Sequence, residues 1–332
     1  GMAKVVVLGG CGGIGTVAVR ALAALGAFEE IVVADVRLEP ARVLARSLGE
    51  PGVTALAVDA TSHDSLLSAM RGARVVLNCV GPFYRFGPPI LRAAIEAGVD
   101  YVDVCDDLAP TRTMLELDGE AKARGVTALV GMGNSPGLAN VFVKLCQDLL
   151  LDTVESVDIM HIHGGEPTEG PAVLAHRIHA MLSDVPLFID GQFVHVRQLE
   201  ESGQAHVKET EFRSVGRYPV YPYPHPETIT LPKYVPGLRR ATNLGVIFPL
   251  SYFRLTQDMV RAGACGEDPI DVNGQPVVPI DFSIAHLLSQ RARLIYSARS
   301  VALRPSRAPA APPRAGGCRR SEVRSSRSAR LD

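Results

Sequence analysis

The chain has 332 residues, of which 47% are hydrophobic and 21% charged, and its formal net charge is −1. This length is too great for one small core and predicts two domains. No run of about 18 apolar residues occurs, so we expect no membrane-spanning helix and no membrane partner. The six cysteines are scattered without C-x-x-C spacing. That pattern excludes a disulfide framework and favours a reducing, cytoplasmic environment.

Charge is distributed unevenly along the chain. The segment from Arg291 to the end holds eleven arginines and two acids, whereas the preceding part carries more acids than bases. A strongly acidic body is unlike that of a nucleic-acid-binding protein, so nucleic acid is not expected as a partner.

The first 35 residues place a glycine-rich motif in the setting that dinucleotide binding requires. An apolar strand leads into Gly10-x-Gly12-x-x-Gly15, a helix follows, and a second strand ends at Asp35. We expect Gly10 to permit the tight turn, Gly12 to let the backbone approach the pyrophosphate, and Gly15 to let the helix pack on the strand. The N–H groups at the helix start would bind phosphate. The predicted loop is completed by Cys11, Gly13 and Ile14.

Asp35 bears on the choice of cofactor. A carboxylate at the end of the second strand accepts hydrogen bonds from the ribose 2′-hydroxyl of NAD and repels the 2′-phosphate of NADP. Arg37 lies two residues further on and could instead bind that phosphate. NAD is therefore the predicted cofactor, and Arg37 leaves NADP open.

Alternating strand and helix patterns continue to about residue 130. The apolar strands lie at 53–58, 75–79, 101–104 and 126–130. The helix patterns lie at 40–48, 65–70, 88–97 and 114–124. This alternation predicts a doubly wound parallel sheet with helices on both faces, because such strands are apolar on both sides. The predicted fold class is α/β, with a Rossmann domain at 2–137.

The pattern changes from residue 138 onward. A helix over 138–150 precedes short alternating segments, which are typical of a second, mixed α+β domain over 138–296. Closely spaced prolines predict a loop over 218–226 that could line a cleft. Residues 297–332 are rich in Arg, Ser and Pro and lack apolar periodicity. We interpret them as a disordered tail or as the product of a shifted reading frame.

Ligands of doubly wound sheets bind outside the carboxyl ends of the strands, which selects a short set of loops. The third strand is followed by Asp59 and Ala60, and Phe83 in the loop after the fourth is a candidate for substrate contact. The cofactor-facing candidates of that loop are Asn78, Val80, Gly81 and Pro82. The substrate-facing candidates after the sixth strand are Asn134, Ser135 and Pro136. The alternative is that the glycines and prolines here only shape turns.

Acids and tyrosines near the same edge are the candidates for proton transfer. Asp106 and Asp107 follow the fifth strand, and one of them could act as a general acid or base or hold a substrate ammonium group. Tyr84 and Tyr101 are candidate proton donors, although a tyrosine is more often a packing residue. A solvated acidic loop is the alternative for the two aspartates and for Asp103.

Four histidines fall in two pairs. His161 and His163 share one face of a predicted strand, and His176 and His179 share one face of a predicted helix. No Asp, Glu or Cys falls beside them at the usual metal-ligand spacing, so no metal is predicted. We interpret these histidines as polar residues of a cleft or an interface.

Taken together, the motifs resemble those of the saccharopine dehydrogenase-like family of NAD(P)-dependent oxidoreductases. Besides the glycine motif, the matching segments are 76–83 (VLNCVGPF), 93–103 (AAIEAGVDYVD) and 131–140 (GMGNSPGLAN). The resemblance extends to about residue 290 and implies a Rossmann domain followed by a domain that binds substrate and forms a homodimer. It implies hydride transfer at a C–N bond, an imine/secondary amine centre, of an amino-acid or polyamine-like substrate.

The same resemblance implies roles for individual residues. Its cofactor positions are Gly10, Gly12, Gly15, Asp35, Asn78, Gly81 and Pro82, and its substrate-facing candidates are Tyr84, Asp106, Asp107, Asn134 and Pro136. Family members usually end in a portion that packs on the cofactor domain, where this chain has its Arg-Ser-Pro segment. Two alternatives follow. The first is a protein that binds the nucleotide without turnover, either because it is truncated or because it is a sensor. The second is an enoyl-type reductase on the same fold.

Overall fold

The computed structural model describes residues 3–164 and 170–302, and a six-stranded sheet forms the centre of its first domain. The elements of this domain are β1 (Lys4–Leu8), α1 (Gly13–Leu25), β2 (Glu30–Asp35), α2 (Leu38–Leu48), β3 (Val53–Ala57), α3 (His63–Met70), β4 (Val75–Asn78), α4 (Phe83–Ala97), β5 (Asp100–Asp103), α5 (Leu108–Glu116), α6 (Asp118–Ala123) and β6 (Ala128–Leu129).

All six strands are parallel, in the order β3-β2-β1-β4-β5-β6. Alternate residues of β1 supply two separate cores. Val6 and Leu8 pack into the cluster beneath α3 and α4, whereas Val5 and Val7 pack with α1 and α2. Both faces of the sheet are therefore covered, and the predicted Rossmann architecture is confirmed.

Two predicted helices have different limits. Helix α4 begins at Phe83, five residues before the predicted start, because Pro82 is its N-cap and both Pro88 and Pro89 lie inside the helix. Proline is expected in the first helical turn, which is why the sequence pattern indicated a start at residue 88. The helix expected over 114–124 is divided into α5 and α6, with Leu117 between them.

The second domain is mixed α+β, as predicted. Its elements are α7 (Leu138–Leu149), β7 (Ser156–Gly164), α8 (Pro171–Leu182), β8 (Asp184–Ile189), β9 (Gln192–Arg197), α9 (Glu201–Gln204), β10 (Lys208–Phe212), β11 (Gly216–Pro222), α10 (Glu227–Tyr234), β12 (Arg240–Phe248), α11 (Leu250–Arg261), β13 (Ile270–Val272), β14 (Gln275–Val277) and α12 (Pro279–Ala302). The main sheet has the order β10-β11-β12-β8-β9, and β7 pairs with β12 in parallel.

The loop predicted over 218–226 is only partly present. Residues 216–222 form β11, which pairs with β10 along 216–220 and with β12 only at Tyr221 and Pro222. Pro219 thus stands where the strand has a partner on one side only, and a proline can occupy such a position without removing a ladder hydrogen bond. The prediction was wrong for 218–222, whereas 223–226 form an irregular segment between β11 and α10.

Helix α12 ends the described part of the chain. Leu287 is fully buried in the core beneath α8 and α11, and Ile284 and Leu288 pack against that core. The helix continues to Ala302, so residues 297–302 are helical rather than part of a tail. The rest of the predicted tail, 303–332, lies outside the described residues. Within the described ranges, we find no helix with the length and apolar character needed to cross a membrane.

Candidate functional site

Gly9 and Gly10 both lie in the tight turn after β1, and only Gly9 of the two has a positive φ. The φ of Gly9, +71°, is in the left-handed region, and a Cβ there would lie 2.9 Å from the carbonyl oxygen of Cys79. A Cβ at Gly10 would instead lie 2.8 Å from Cγ1 of Val33. Gly10 is a central residue of the turn that the N–H of Gly12 closes on the carbonyl oxygen of Gly9, in line with its predicted role, and its lack of a side chain also permits close packing against β2.

Gly15 brings helix α1 close to the loop. A Cβ at Gly15 would lie 2.1 Å from the carbonyl oxygen of Gly9, whereas nothing lies within 4 Å of a Cβ at Gly13. Gly12 caps α1 without any side-chain hydrogen bond. The first N–H groups of the helix, which include those of Gly13 and Ile14, have no intrahelical acceptor and are directed at the space in front of the loop.

Asp35 connects the glycine loop to the end of β2. One carboxylate oxygen accepts a hydrogen bond from the backbone N–H of Cys11 at 3.1 Å, and the other accepts from the backbone N–H of Arg37 at 3.0 Å and from its Nε at 3.3 Å. Nη2 of Arg37 also donates to the carbonyl oxygen of Cys11 at 3.4 Å. The guanidinium is thus held beside the carboxylate where an adenosine ribose binds in this fold.

The remaining cofactor candidates lie at the same sheet edge with different exposure. Asp59 and Ala60 follow β3, and Asp59 accepts hydrogen bonds from the hydroxyl and the N–H of Thr61, which lower the pKa of Asp59. Asn78 is fully buried, and its Oδ1 accepts from the N–H of Val80 at 2.9 Å. The Asn78 side chain thus shapes the turn before the Gly81-Pro82 pair. Because that side chain is enclosed, it does not reach the cofactor, contrary to the prediction.

Tyr101 and Asp103 are internal residues. The Tyr101 hydroxyl donates to Asp103 at 2.8 Å and accepts from Nδ2 of Asn78 at 3.0 Å. The other Asp103 oxygen accepts from the N–H groups of Cys105 at 3.0 Å and Gly131 at 2.7 Å. Burial and the nearby Asp103 raise the pKa of Tyr101 well above its usual range. Tyr101 is therefore excluded as a donor to substrate, and Asp103 is not part of a solvated loop.

Phe83 and Pro136 are also enclosed, contrary to the prediction that they contact substrate. Phe83 belongs to the core of the first domain, because it starts the buried face of α4. Pro136 packs on Gly131, where a Cβ would lie 2.7 Å from the proline ring. Asn134 is exposed, and its carbonyl oxygen accepts from the N–H of Ala139 at 3.0 Å.

The two predicted catalytic acids meet a histidine of the second domain. Asp107 is buried and accepts a hydrogen bond from Nδ1 of His176, on α8, at 2.6 Å, while Asp106 lies 3.6 Å from Nε2 of the same ring. Burial opposes the charge of His176, but Asp106 and Asp107 outweigh it and raise the pKa of His176 to about 9. Tyr84, which is half-exposed, stacks on His179 of α8 with ring centroids 5.2 Å apart.

A second group of contacts surrounds Ser135, in the loop after β6. Its hydroxyl donates to Glu227, and it also lies 3.5 Å from Nδ1 of His225, which is 3.2 Å from the other Glu227 oxygen. Nδ2 of Asn243 donates to the Ser135 hydroxyl at 3.3 Å, and the amide oxygen of Asn243 accepts from Nε2 of His161 at 2.8 Å. Ser135 is thus bound by three residues of the second domain, so its predicted contact with substrate is not direct.

Tyr223 joins the two groups. Its ring centroid lies 6.2 Å from that of His176 on one side and 5.3 Å from that of His225 on the other. We call the combined set the interdomain cluster, and its members are Asp106, Asp107, Ser135, His161, His176, Tyr223, His225, Glu227 and Asn243.

Sequence reasoning missed four of these residues. Tyr223 and His225 fall in the segment expected to line a cleft, but neither was singled out. Glu227 and Asn243 were also overlooked. For Asn243 the available signal was a pair of polar residues, Thr242 and Asn243, inside the largely apolar strand β12, since a polar group buried in a sheet requires a hydrogen-bond partner.

A separate surface groove of about 470 Å³ lies between α2 and β3. Arg42 and Arg46 line it, and both form ion pairs with Glu39 on the same helix. The groove lies away from the glycine loop and from the interdomain cluster. We therefore take the sheet edge as the candidate site.

The comparisons with known proteins agree with this geometry. Residues 5–129 match the protein family described as "Saccharopine dehydrogenase NADP binding domain". Carboxyaminopropylagmatine dehydrogenase of Synechocystis sp. is 24% identical over 85% of this chain and 71% of its own length. Carboxynorspermidine synthase of Vibrio alginolyticus is 24% identical over 68% of this chain, which spans only 56% of that relative. A trans-acting enoyl reductase of Mycobacterium leprae is 36% identical, over 26% of this chain.

A solved structure shows the same fold through both domains. The structure of saccharopine dehydrogenase (L-Glu forming) from Saccharomyces cerevisiae superposes with a TM-score of 0.61 at 18% identity, covering 91% of this chain and 72% of that one. The glycine loop, the sheet order and these matches converge. Residues 5–129 match the saccharopine dehydrogenase NADP-binding domain, and across both domains the chain is similar to NAD(P)-dependent oxidoreductases of that kind.

Proposed function

We propose that this protein transfers hydride at the C–N bond of an amino-acid or polyamine-like substrate, between an imine and a secondary amine. The observation that supports this most is the interdomain cluster, where Asp106 and Asp107 pair with His176 and Glu227 pairs with His225 at the sheet edge of the first domain. Carboxylates bind a substrate ammonium group, and histidines transfer protons. Two relatives are named carboxyaminopropylagmatine dehydrogenase and carboxynorspermidine synthase, and both names describe carboxylated polyamine-like compounds.

The residues present fit a nicotinamide nucleotide. The glycine loop leaves space at Gly13 that a side chain would fill, and the uncapped start of α1 directs N–H groups at that space. Gly12, Gly15 and Asp35 would hold the pyrophosphate and ribose. When bound, the nucleotide supplies or accepts the hydride.

The chain's own residues have the remaining tasks. Asp106, whose side chain is 42% exposed, is available to a substrate cation, whereas buried Asp107 holds His176 in place. Tyr84 borders the same space, and burial, Glu267 and Asp107 raise the pKa of Tyr84, which keeps its hydroxyl protonated. Positioning and shielding of the reacting carbon thus come from both domains.

The polar character of this cluster favours a C–N substrate over the enoyl-type alternative. An enoyl substrate is neutral at the reacting carbons and gains nothing from three nearby carboxylates. We retain a homodimer as part of the proposal, supported by exposed apolar side chains on one face of α7, namely Leu138, Val141, Phe142, Leu145 and Leu149.

We also propose that NADP is accepted alongside NAD, because Arg37 is fixed beside Asp35. Arg37→Ala should weaken NADPH binding by about tenfold or more and NADH binding by less, since a charge-assisted hydrogen bond to the 2′-phosphate is lost. Asp35→Asn should weaken NADH more than NADPH. Fluorescence titration with each reduced nucleotide measures both dissociation constants. Arg46→Ala, exposed on α2, is the control, and equal effects on both nucleotides would contradict this assignment.

The reaction itself is tested by a screen of secondary-amine amino acids with NAD and NADP, and of the corresponding amine and oxo-acid pairs with NADH and NADPH. We expect turnover of at least one amine and none of enoyl thioesters. Asp106→Asn should lower kcat/KM by about tenfold or more through lost cation binding while leaving nucleotide affinity unchanged. Asp118→Asn, in an exposed pair with Lys122, is the control. Binding of both nucleotides without turnover of any amine would contradict the proposal.

A further inference from the structure

The histidines of the interdomain cluster differ in how their ring nitrogens are engaged. Both nitrogens of His176 face carboxylates, Asp107 at 2.6 Å and Asp106 at 3.6 Å. These acids keep His176 protonated near neutral pH, so it is not available as a base. His161 uses Nε2 for the hydrogen bond to Asn243, and its Nδ1 is enclosed without a partner among the described residues. Neither ring can exchange a proton readily with a ligand.

His225 is arranged differently. Glu227 is fully buried, and its two oxygens accept from the Ser135 hydroxyl and from Nδ1 of His225. Burial would raise the pKa of Glu227, but the hydrogen bonds from His225 and Ser135 outweigh it and lower that pKa. An ionised carboxylate only accepts hydrogen bonds, so Nδ1 of His225 carries a proton, and Nε2 is the nitrogen that holds the lone pair whenever the ring is neutral.

The opposite ring nitrogen of His225 is Nε2. Within the described part of the chain it makes no hydrogen bond, and it is not fully enclosed. The ring lies between Tyr223, at 5.3 Å, and His161, at 5.6 Å. Beyond Tyr223 lies His176 with its two aspartates. A carboxylate that fixes the tautomer of an imidazole and leaves its other nitrogen open is the arrangement of a general base.

We propose that His225 is the proton-transfer residue of the reaction and that Glu227 is its positioning residue, an inference that rests on the proposed function. In the oxidative direction, the hydrogen of the C–H bond next to the secondary amine would pass with its electron pair to a nicotinamide, once one is bound. The N–H bond breaks, its proton goes to Nε2 of His225, and its electrons form the C=N bond. In the reductive direction, His225 returns the proton to nitrogen. In both directions, the Glu227 carboxylate stabilises the positive charge that His225 has while it holds the proton.

The titratable groups around His225 come from several elements. Glu227 is at the start of α10, His161 is on β7, and His176 is on α8, while its partner Asp107 belongs to the first domain. Among these, Glu227 is the carboxylate in direct contact with the ring. Substituting it by glutamine should therefore disturb the Nδ1–H tautomer of His225 more than any other single change in the cluster.

The test combines kinetics with an observation that needs no substrate. With the amine identified by the screen, His225→Gln should lower kcat by about 100-fold or more and remove one limb of the pH–rate profile, while nucleotide dissociation constants stay within about twofold. Glu227→Gln should displace that limb and lower kcat less. His195→Gln removes an exposed histidine–carboxylate pair on β9 and should match the wild type. An unchanged limb in His225→Gln would overturn the proposal.

Nitrogen-15 NMR of the imidazole side chains gives the second measurement. In the full-length wild-type protein, neutral His225 should be the Nδ1–H tautomer, and Glu227→Gln should lose this preference. A wild-type Nε2–H tautomer would overturn the role of His225 even if the amine is oxidised. Failure to oxidise any amine would instead overturn the proposed function, whichever tautomer is seen, so the two failures are distinguishable.

Discussion

Gly15→Ala should disrupt the nucleotide-binding domain more than any other single methyl group added to the glycine loop. Its Cβ would lie 2.1 Å from the carbonyl oxygen of Gly9 and 2.8 Å from the Cα of Gly10. Both neighbours are backbone atoms in a tight turn, so neither can rotate away. We expect the free energy of unfolding to fall by about 1–3 kcal/mol, the usual cost of overpacking, and nucleotide affinity to fall more than tenfold.

Gly13→Ala is the matched control for stability, because no atom of the described residues lies within 4 Å of a Cβ at that position and alanine is favoured over glycine in a helix. Its stability should equal or exceed that of the wild type. Urea denaturation of both variants, with NADPH titration at the same protein concentration, measures the two effects. Wild-type stability and affinity in Gly15→Ala would mean that α1 does not approach the loop as described.

The second large effect is a dependence of stability on pH that comes from His176. Its pKa is raised from 6.5 to about 9 in the folded protein, first by Asp106 and then by Asp107, against the opposing effect of burial. A raised pKa means that the protonated ring stabilises the fold fully below pH 6.5, and this contribution is lost as the pH rises through about 9. The shift corresponds to about 3 kcal/mol.

Urea denaturation at intervals between pH 6.5 and 9 measures this contribution. The free energy of unfolding should fall by about 3 kcal/mol more in the wild type than in His176→Gln over that range. His195→Gln should retain the wild-type slope, because its pair with Asp184 is half-exposed and contributes little. Equal slopes in the wild type and His176→Gln would show that the interdomain pair does not hold a proton on His176.

Local sequence patterns determined the first domain because each of its signals spans a short distance. The glycine motif, the apolar strands and Asp35 lie within 35 residues, and their spacing alone predicts a Rossmann fold. Parallel strands buried on both faces appear as continuous apolar runs, which made β1 and β2 easy to recognise. Where rules compete locally, prediction failed, as at α4, where two prolines indicated a later start.

Single-residue roles were harder to predict than elements. The chain pattern placed Gly10 in the tight turn, as observed, but did not indicate that the positive φ of this turn falls at Gly9. Asn78 and Phe83 occupy the predicted loop, yet both side chains point inward. The rule that ligands bind at the ends of strands thus selected loops at the sheet edge. It did not predict which side chains of those loops are exposed.

The sequence by itself determined the α/β class, the nucleotide-binding loop and the sheet edge where Asp106, Asp107 and Ser135 lie, since each depends on local periodicity and spacing. Only the tertiary structure decided the partners of those residues. His176 lies 69 positions from Asp107, and Glu227 lies 92 positions from Ser135. Contacts at such separations depend on how the two domains pack, and domain packing produces no periodic pattern in the sequence. The polar residues that these contacts bury are therefore recognised only once the structure shows their hydrogen-bond partners.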